Sequence, residues 1–325
     1  MIMRSEVMEF YGLTRSVRSA GYFETTHHKQ LMRDVKHAIY SGNLVVLSGV
    51  IGAGKTAAMA QLQDVLEKED RVAVSTSVSI EKNRVAIGTL VTALFCDLSP
   101  DKNATIPKSG ELRDRALRNL VRKRKKPVVL FVDDAHDLNR NTLIALKRLI
   151  ELVEGGGAKL SVVLAGHPRL RNELRETMME EIGYRTAIYS LEGVTGSQRE
   201  YMTWLIDTCA IDGVEIDDVL EPAAVDLLAA RLRTPLQIEQ HLTLALETGF
   251  QASEKPITEA IADSVLSKQI DGVEATLNRN GYTTKVLTEM LGVKPGELRG
   301  FFKNELGAER ARDLKEQMLS AGLPV

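Results

Sequence analysis

The sequence predicts an α/β fold, a parallel sheet covered by helices on both faces, with an all-helical region after it. Three observations carry this. From about residue 27 onward, short β-rich runs alternate with helical patterns, as parallel strands joined by crossovers require. The runs are nearly continuous in Val, Ile and Leu, the mark of strands buried on both sides. The first run leads into Gly49–Val50–Ile51–Gly52–Ala53–Gly54–Lys55–Thr56, which fits G-x-x-x-x-G-K-[ST] between a strand and a helix.

The elements follow in order. A lead-in, residues 1–40, contains "MEFYGL" and "GYFETTHHKQLMRDVKHAI". The core, 41–193, holds strands at "NLVVLSG" (43–49), "RVAVSTSV" (71–78), "PVVLFVDD" (127–134), "KLSVVLAG" (159–166) and "TAIYSL" (186–191), with helical segments between them. After "LEGVTG" the strand signals stop. Amphipathic helices fill 194–272, where Trp204 in "SQREYMTWLIDTCA" reads as packing rather than as a ligand platform. A Gly/Asn-containing break at "DGVEATLNRNG" precedes a small helical module, 273–325.

A chain of 325 residues, 44% apolar and 26% charged, has the composition of a soluble globular protein of about two domains. The net charge of −2 excludes an overall positive field, so a nucleic-acid partner needs a local patch. Cys96 and Cys209 lack metal-ligand spacing and read as reduced, buried thiols. With neither a signal peptide nor a spanning apolar run, the sequence predicts a cytoplasmic protein that does not enter the membrane.

The glycine-rich loop has a definite physical meaning. Glycines let the backbone curl until its N–H groups face phosphate oxygens, at a helix N-terminus whose dipole favours anions. The expected cradle comprises Gly49, Gly52, Ala53, Gly54, Lys55, Thr56 and Ala57. Lys55 would reach the β- and γ-phosphates of ATP, and the Thr56 hydroxyl would ligate Mg²⁺. In "VVLFVDDAHDL" an apolar strand runs into Asp133, placed to hold Mg²⁺ through its water shell. Asp134 stands where a water-activating carboxylate belongs; the other reading is that both acids cap the next helix.

These residues, with the strand end "LAGHPRL" and the helical region after it, resemble the AAA+ superfamily of P-loop NTPases. More narrowly they resemble its ExeA-like group, which includes transposition-helper ATPases of the MuB and TniB kind; "RTPLQIEQHLTLAL" is similar to that group's lid. The resemblance implies a parallel-sheet core, an α-helical lid and a small helical C-terminal extension. It puts His167 at a position that commonly senses the γ-phosphate, a structural cap being the alternative. It makes Arg185 the arginine finger acting in trans on a neighbouring subunit, with Arg175 as substitute and a solvated arginine as the bland reading. Two departures stand out. Asp134 replaces the usual glutamate, which predicts slow hydrolysis because misplacing a catalytic group by about 1 Å can cost on the order of 100-fold in rate. In Thr234–Pro235–Leu236–Gln237 no arginine follows the proline, which puts the usual lid contact in doubt and leaves Arg231 or Arg233 to compensate.

"RDRALRNLVRKRKK" (113–126) is strongly basic, including Arg122, Lys123 and Arg124. It is either a solvated helix end or a phosphate-backbone contact, which needs charge but no base-reading side chains. Lys82 and Arg84 are further DNA candidates, in a region that often faces the central channel of AAA+ assemblies. "YTTKVLTEMLGVKPGELRGFFKNEL" has a helix-turn-helix look, but its second helix offers few base-reading side chains, so a small packing or protein-docking module is favoured over a base reader. The resemblance as a whole implies an ATP-dependent regulator of transposition that self-associates into a ring or filament on duplex DNA and recruits an integrase-like transposase. The alternatives are an ExeA-like secretion ATPase, whose kind continues into a membrane span, and another AAA+ signalling or replication module.

Overall fold

A computed structural model describes residues 4–77, 85–101, 105–175, 186–266 and 272–325. It divides into two compact units: Thr26–Gly49 with Lys55–Leu191, and Met1–Thr25 with Val50–Gly54 and Glu192–Val325.

The first unit is a five-stranded sheet of strands β1 (Leu44–Ser48), β2 (Ala73–Ser77), β3 (Val128–Val132), β4 (Leu160–Gly166) and β5 (Thr186–Ser190). The order is β2-β3-β4-β1-β5, and every pairing is parallel. The three inner strands are wholly buried and the two edge strands only partly, as the continuous apolar runs require. Residues alternate across the pleat. Leu44, Val46, Leu130, Val162 and Leu164 share one cluster with the helices Ile87–Leu98, Gly110–Lys123 and Arg140–Glu154. The helices Thr26–Ser41 and Lys55–Glu69 also pack on the sheet. The buried Ser161 hydroxyl is satisfied there, donating to the Ile39 carbonyl at 2.6 Å.

Parallel pairing aligns the strand ends that carry the chemistry. Ser48 lies opposite Gly166 and Ser190, and Gly49 N–H continues the ladder to the Gly166 carbonyl at 3.1 Å.

The second unit is helical. Gln198–Cys209, Pro222–Arg231, Pro235–Ala252 and Glu259–Val265 build one core, and the N-terminal helix Ser5–Tyr11 completes it. Tyr11 is fully buried and donates to the Glu254 carbonyl at 2.9 Å. Trp204 packs against Phe23 and Tyr201 with ring centroids 5.2 and 5.8 Å away, the structural role expected of it. Helices Val273–Arg279, Thr284–Leu291, Pro295–Phe302 and Ala308–Ser320 enclose a separate small core around Leu287, Leu298 and Leu314. Gly292 turns the chain at φ 66°, and Pro295 opens the next helix, the break and restart that the sequence predicts.

Cys209 is buried, but Cys96 is exposed, contrary to the expectation of two buried thiols; both are free. Cys96 lies on the outward side of its helix, whose neighbours Val91, Leu94, Phe95 and Leu98 take the inward positions. Among the described residues no helix is long and apolar enough to cross a membrane.

Candidate nucleotide site

Lys55 and Thr56 open the 15-residue helix Lys55–Glu69, so the positive end of its dipole faces the loop before it. The loop takes left-handed φ at Gly52 (81°) and Gly54 (92°), which explains both glycines. A side chain added at Gly54 would enter open space, the kind of hollow a phosphate cradle provides. Lys55 is buried, and its Nζ donates to the Gly49 carbonyl at 2.8 Å, closing the loop on itself. Burial pulls its ammonium below the ordinary pKa, against the opposing pull of Asp133 and Asp134.

Asp133 follows the last residue of β3 and receives two bonds. Its Oδ2 accepts the Thr56 hydroxyl at 2.7 Å across 77 residues of sequence, and its Oδ1 accepts Asp134 N–H at 2.8 Å. A hydroxyl and a carboxylate bonded to each other, one from the first turn of a helix and one from the end of β3, fit Mg²⁺, which keeps most of its waters and takes few protein ligands. Thr56 and Asp133 would hold the ion, which when bound supplies neutralising charge to the β- and γ-phosphates. Asp134 is half-exposed, in the left-handed conformation φ 50°, ψ 36°, which aspartate tolerates better than most residues. Its side chain makes no cap bond to the short 3-10 turn Ala135–Asp137 that it precedes.

His167 takes the N-cap position before Pro168, but its side chain caps nothing. Instead the ring reaches the Gly49 backbone and lies against the His136 ring, centroids 3.8 Å apart and planes tilted by 38°. Burial, with His136 and Lys55 as nearby cations or potential cations, holds its pKa down to about 4. His136 is also kept below its ordinary value, chiefly by burial. In the sequence His136 stands at the end of the strand motif "VDDAH", which carries the family resemblance but assigns this histidine no role.

In the helical unit, Val50–Gly54 meets the altered lid sequence. Thr234 and Gln237 form a reciprocal capping box. Gln237 is thereby engaged with backbone at the helix start rather than directed at a ligand. Leu236 N–H approaches the Gly52 carbonyl at 3.4 Å, and a side chain at Gly52 would come within 2.7 Å of Leu236 Cβ. A second contact was invisible in sequence: Ile51 N–H donates to the Arg279 carbonyl at 2.9 Å. Arg233 is exposed and Arg231 half-buried.

The remaining candidates scatter. Ala57 is exposed in the first turn of its helix and Ala53 is buried in the loop. Arg175 is exposed at the end of helix Pro168–Leu174. Lys82, Arg84 and Arg185 lie outside the described residues. Arg122 and Lys123 are exposed, whereas Arg124 is half-buried and donates to the Leu98 carbonyl. Arg122 lines a cavity of about 240 Å³ with Lys125, Lys126 and Lys159.

A phosphate-loop sequence, the bonded Thr56–Asp133 pair and a following carboxylate on a five-stranded parallel sheet are the arrangement of an ATPase with the AAA+ fold. Residues 37–174 match the sequence model of the AAA domain family. The chain is 28% identical over 194 residues to general secretion pathway protein A of Aeromonas hydrophila, a match covering 56% of this chain and 34% of that protein. The chain therefore spans about a third of that relative. The fold is similar to the ORC2 protein of Aeropyrum pernix in its ADPNP–ADP complexes, with TM-score 0.56 and 14% identity over 96% of this chain and 91% of that one. It is also similar to Drosophila ORC bound to DNA, with TM-score 0.54 and 14% identity over 99% and 80% of the two chains.

Proposed function

We propose that this chain is a cytoplasmic, ATP-dependent regulator of DNA transposition. With ATP and Mg²⁺ held by Lys55, Thr56 and Asp133, it assembles with further copies into a ring or filament on duplex DNA. The assembly recruits or stimulates an integrase-like transposase, and slow hydrolysis through Asp134 releases it. Arg185 of a neighbouring copy completes the site in trans, and His167 reads the γ-phosphate.

The observation that carries the ATP switch is the Thr56–Asp133 bond beside the Lys55 loop. DNA binding is supported by the exposed cations Arg122 and Lys123, by the basic cavity that Arg122 lines, and by the DNA-bound ORC relative. Such a patch holds phosphates by charge alone, so binding falls steeply with salt. Transposition itself is supported by the resemblance of "VVLFVDDAHDL" and "RTPLQIEQHLTLAL" to the ExeA-like helpers. A second reading, a secretion-pathway ATPase, is supported by the Aeromonas relative.

Electron microscopy with duplex DNA, with and without a non-hydrolysable ATP analogue, tests the proposal. Rings or filaments on DNA only with the analogue support it. Absence of DNA binding at low salt in both states overturns it and favours the secretion reading. Reversing charge at Arg122 and Lys125 together should weaken binding about tenfold or more at physiological salt and flatten its salt dependence.

A further inference from the structure

Strand β4 ends in Gly166, and an added Cβ there would lie 3.3 Å from His136 N and 2.8 Å from Leu170 Cδ2. That close approach seats the turn Ala135–Asp137 against the β4 tip and brings the His136 and His167 rings together, tilted by 38°. His167 reaches the Gly49 backbone at the start of the phosphate loop. On the far side of the pair, His136 Nδ1 lies 3.9 Å from Asp134 Oδ1, and its Nε2 lies 3.9 Å from Asp137 Oδ1. Neither is a hydrogen bond. Nδ1 of both histidines is nonetheless buried without a partner, a state that native sites rarely leave unused.

The geometry points to His136 as a positioning residue for hydrolysis: its Nδ1–H closes onto Asp134 and orients that carboxylate toward the attacking water. The run Gly49–His167–His136–Asp134 then joins the phosphate loop to the acid through side chains in contact. Arrival of a γ-phosphate beside Lys55 and His167 is passed to Asp134 by one contacting ring pair. Burial disfavours the charged form of both imidazoles, and the Nδ1 of His136, which no group among the described residues engages, is placed to be the donor. The assignment of His136 rests on Asp134 being the carboxylate that activates water.

Two variants of the full chain separate donation from packing. His136→Phe keeps a ring against His167 but has no donor, while His136→Asn offers an amide N–H near the place of Nδ1. Phosphate release at saturating ATP, with duplex DNA present, should fall about 10- to 100-fold in His136→Phe and return to within about fivefold of wild type in His136→Asn. ATP affinity should stay within about twofold of wild type in both, since the contact acts on the carboxylate rather than on binding. In an Asp134→Asn background, His136→Phe should add nothing further. If His136→Phe turns over at the wild-type rate, or His136→Asn is as slow as it, the inference is overturned. Should His136→Phe fail to fold, recovery or loss of rate in His136→Asn alone decides. Wild-type turnover by Asp134→Asn would instead overturn the reading of Asp134 and leave His136 with nothing to position.

Discussion

Lengthening Asp134 by one methylene is the perturbation most closely tied to the proposed slow switch. Asp134→Glu adds about 1.5 Å of reach, comparable to the misplacement that costs on the order of 100-fold in rate. The backbone opposes the change. Asp134 sits at φ 50°, ψ 36°, where aspartate and asparagine are at home and a longer side chain pays about 1 kcal/mol more. The expected result is therefore a split: turnover rises about 10- to 100-fold, while the melting temperature falls by about 2–4 °C. Asp134→Asn supplies the counterpart. It suits the same backbone conformation but cannot take a proton, so turnover should fall about 100-fold or more with the melting temperature and ATP affinity unchanged. Phosphate release at saturating ATP and a thermal melt measure both quantities. Turnover in Asp134→Glu at or below wild type would refute the idea that a short carboxylate sets the rate.

Three further outcomes follow from the geometry. Gly52→Ala combines a left-handed φ of 81° with a Cβ 2.7 Å from Leu236 Cβ, so ATP affinity measured with a fluorescent analogue should fall about 5- to 30-fold, equivalent to roughly 1–2 kcal/mol. Gly249→Ala would drive a methyl into Ile257 Cδ1 and the Tyr11 hydroxyl, and urea melts should show a loss of about 1–3 kcal/mol. His167, held at about 4 against an ordinary 6.5, binds fewer protons folded than unfolded between those values. Its contribution is therefore complete above pH 6.5 and is lost as pH falls toward 4. The half-buried ring leaves about 1–2 kcal/mol after screening, and His167→Gln should flatten that part of the stability–pH curve in urea melts.

The sheet was legible because strands buried on both faces must be almost wholly apolar, and Val45 to Leu47, Val128 to Val132 and Val162 to Ala165 are. The phosphate loop was legible for a different reason: a backbone curled around an anion constrains residue type at fixed spacing, so Gly52, Gly54 and Lys55 announce it. What stayed hidden were contacts made by groups with no residue signature. The Arg279 carbonyl that takes Ile51 N–H belongs to the backbone, so no pattern in the side chains reports it. The His136–His167 ring contact depends on Gly166 allowing a close approach, a three-dimensional fact. Gln237 was read as a departure from a ligand contact, whereas its capping role follows from Thr234 three residues before it. That signal was present and went unused.

The helical unit draws Val7, Tyr11, Leu13 and Val17 into the same core as Leu205, Leu228 and Leu246. During synthesis those first residues leave the ribosome long before their partners exist. The sheet unit, whose strands all lie between Leu44 and Ser190, can close first, while the N-terminal helix waits with its apolar face uncovered. Assembly of the lid thus pays a long loop-closure cost set by the sheet inserted within it. A nascent chain arrested after residue 191 would contain the sheet and its acids, but not the helices that bury Tyr11.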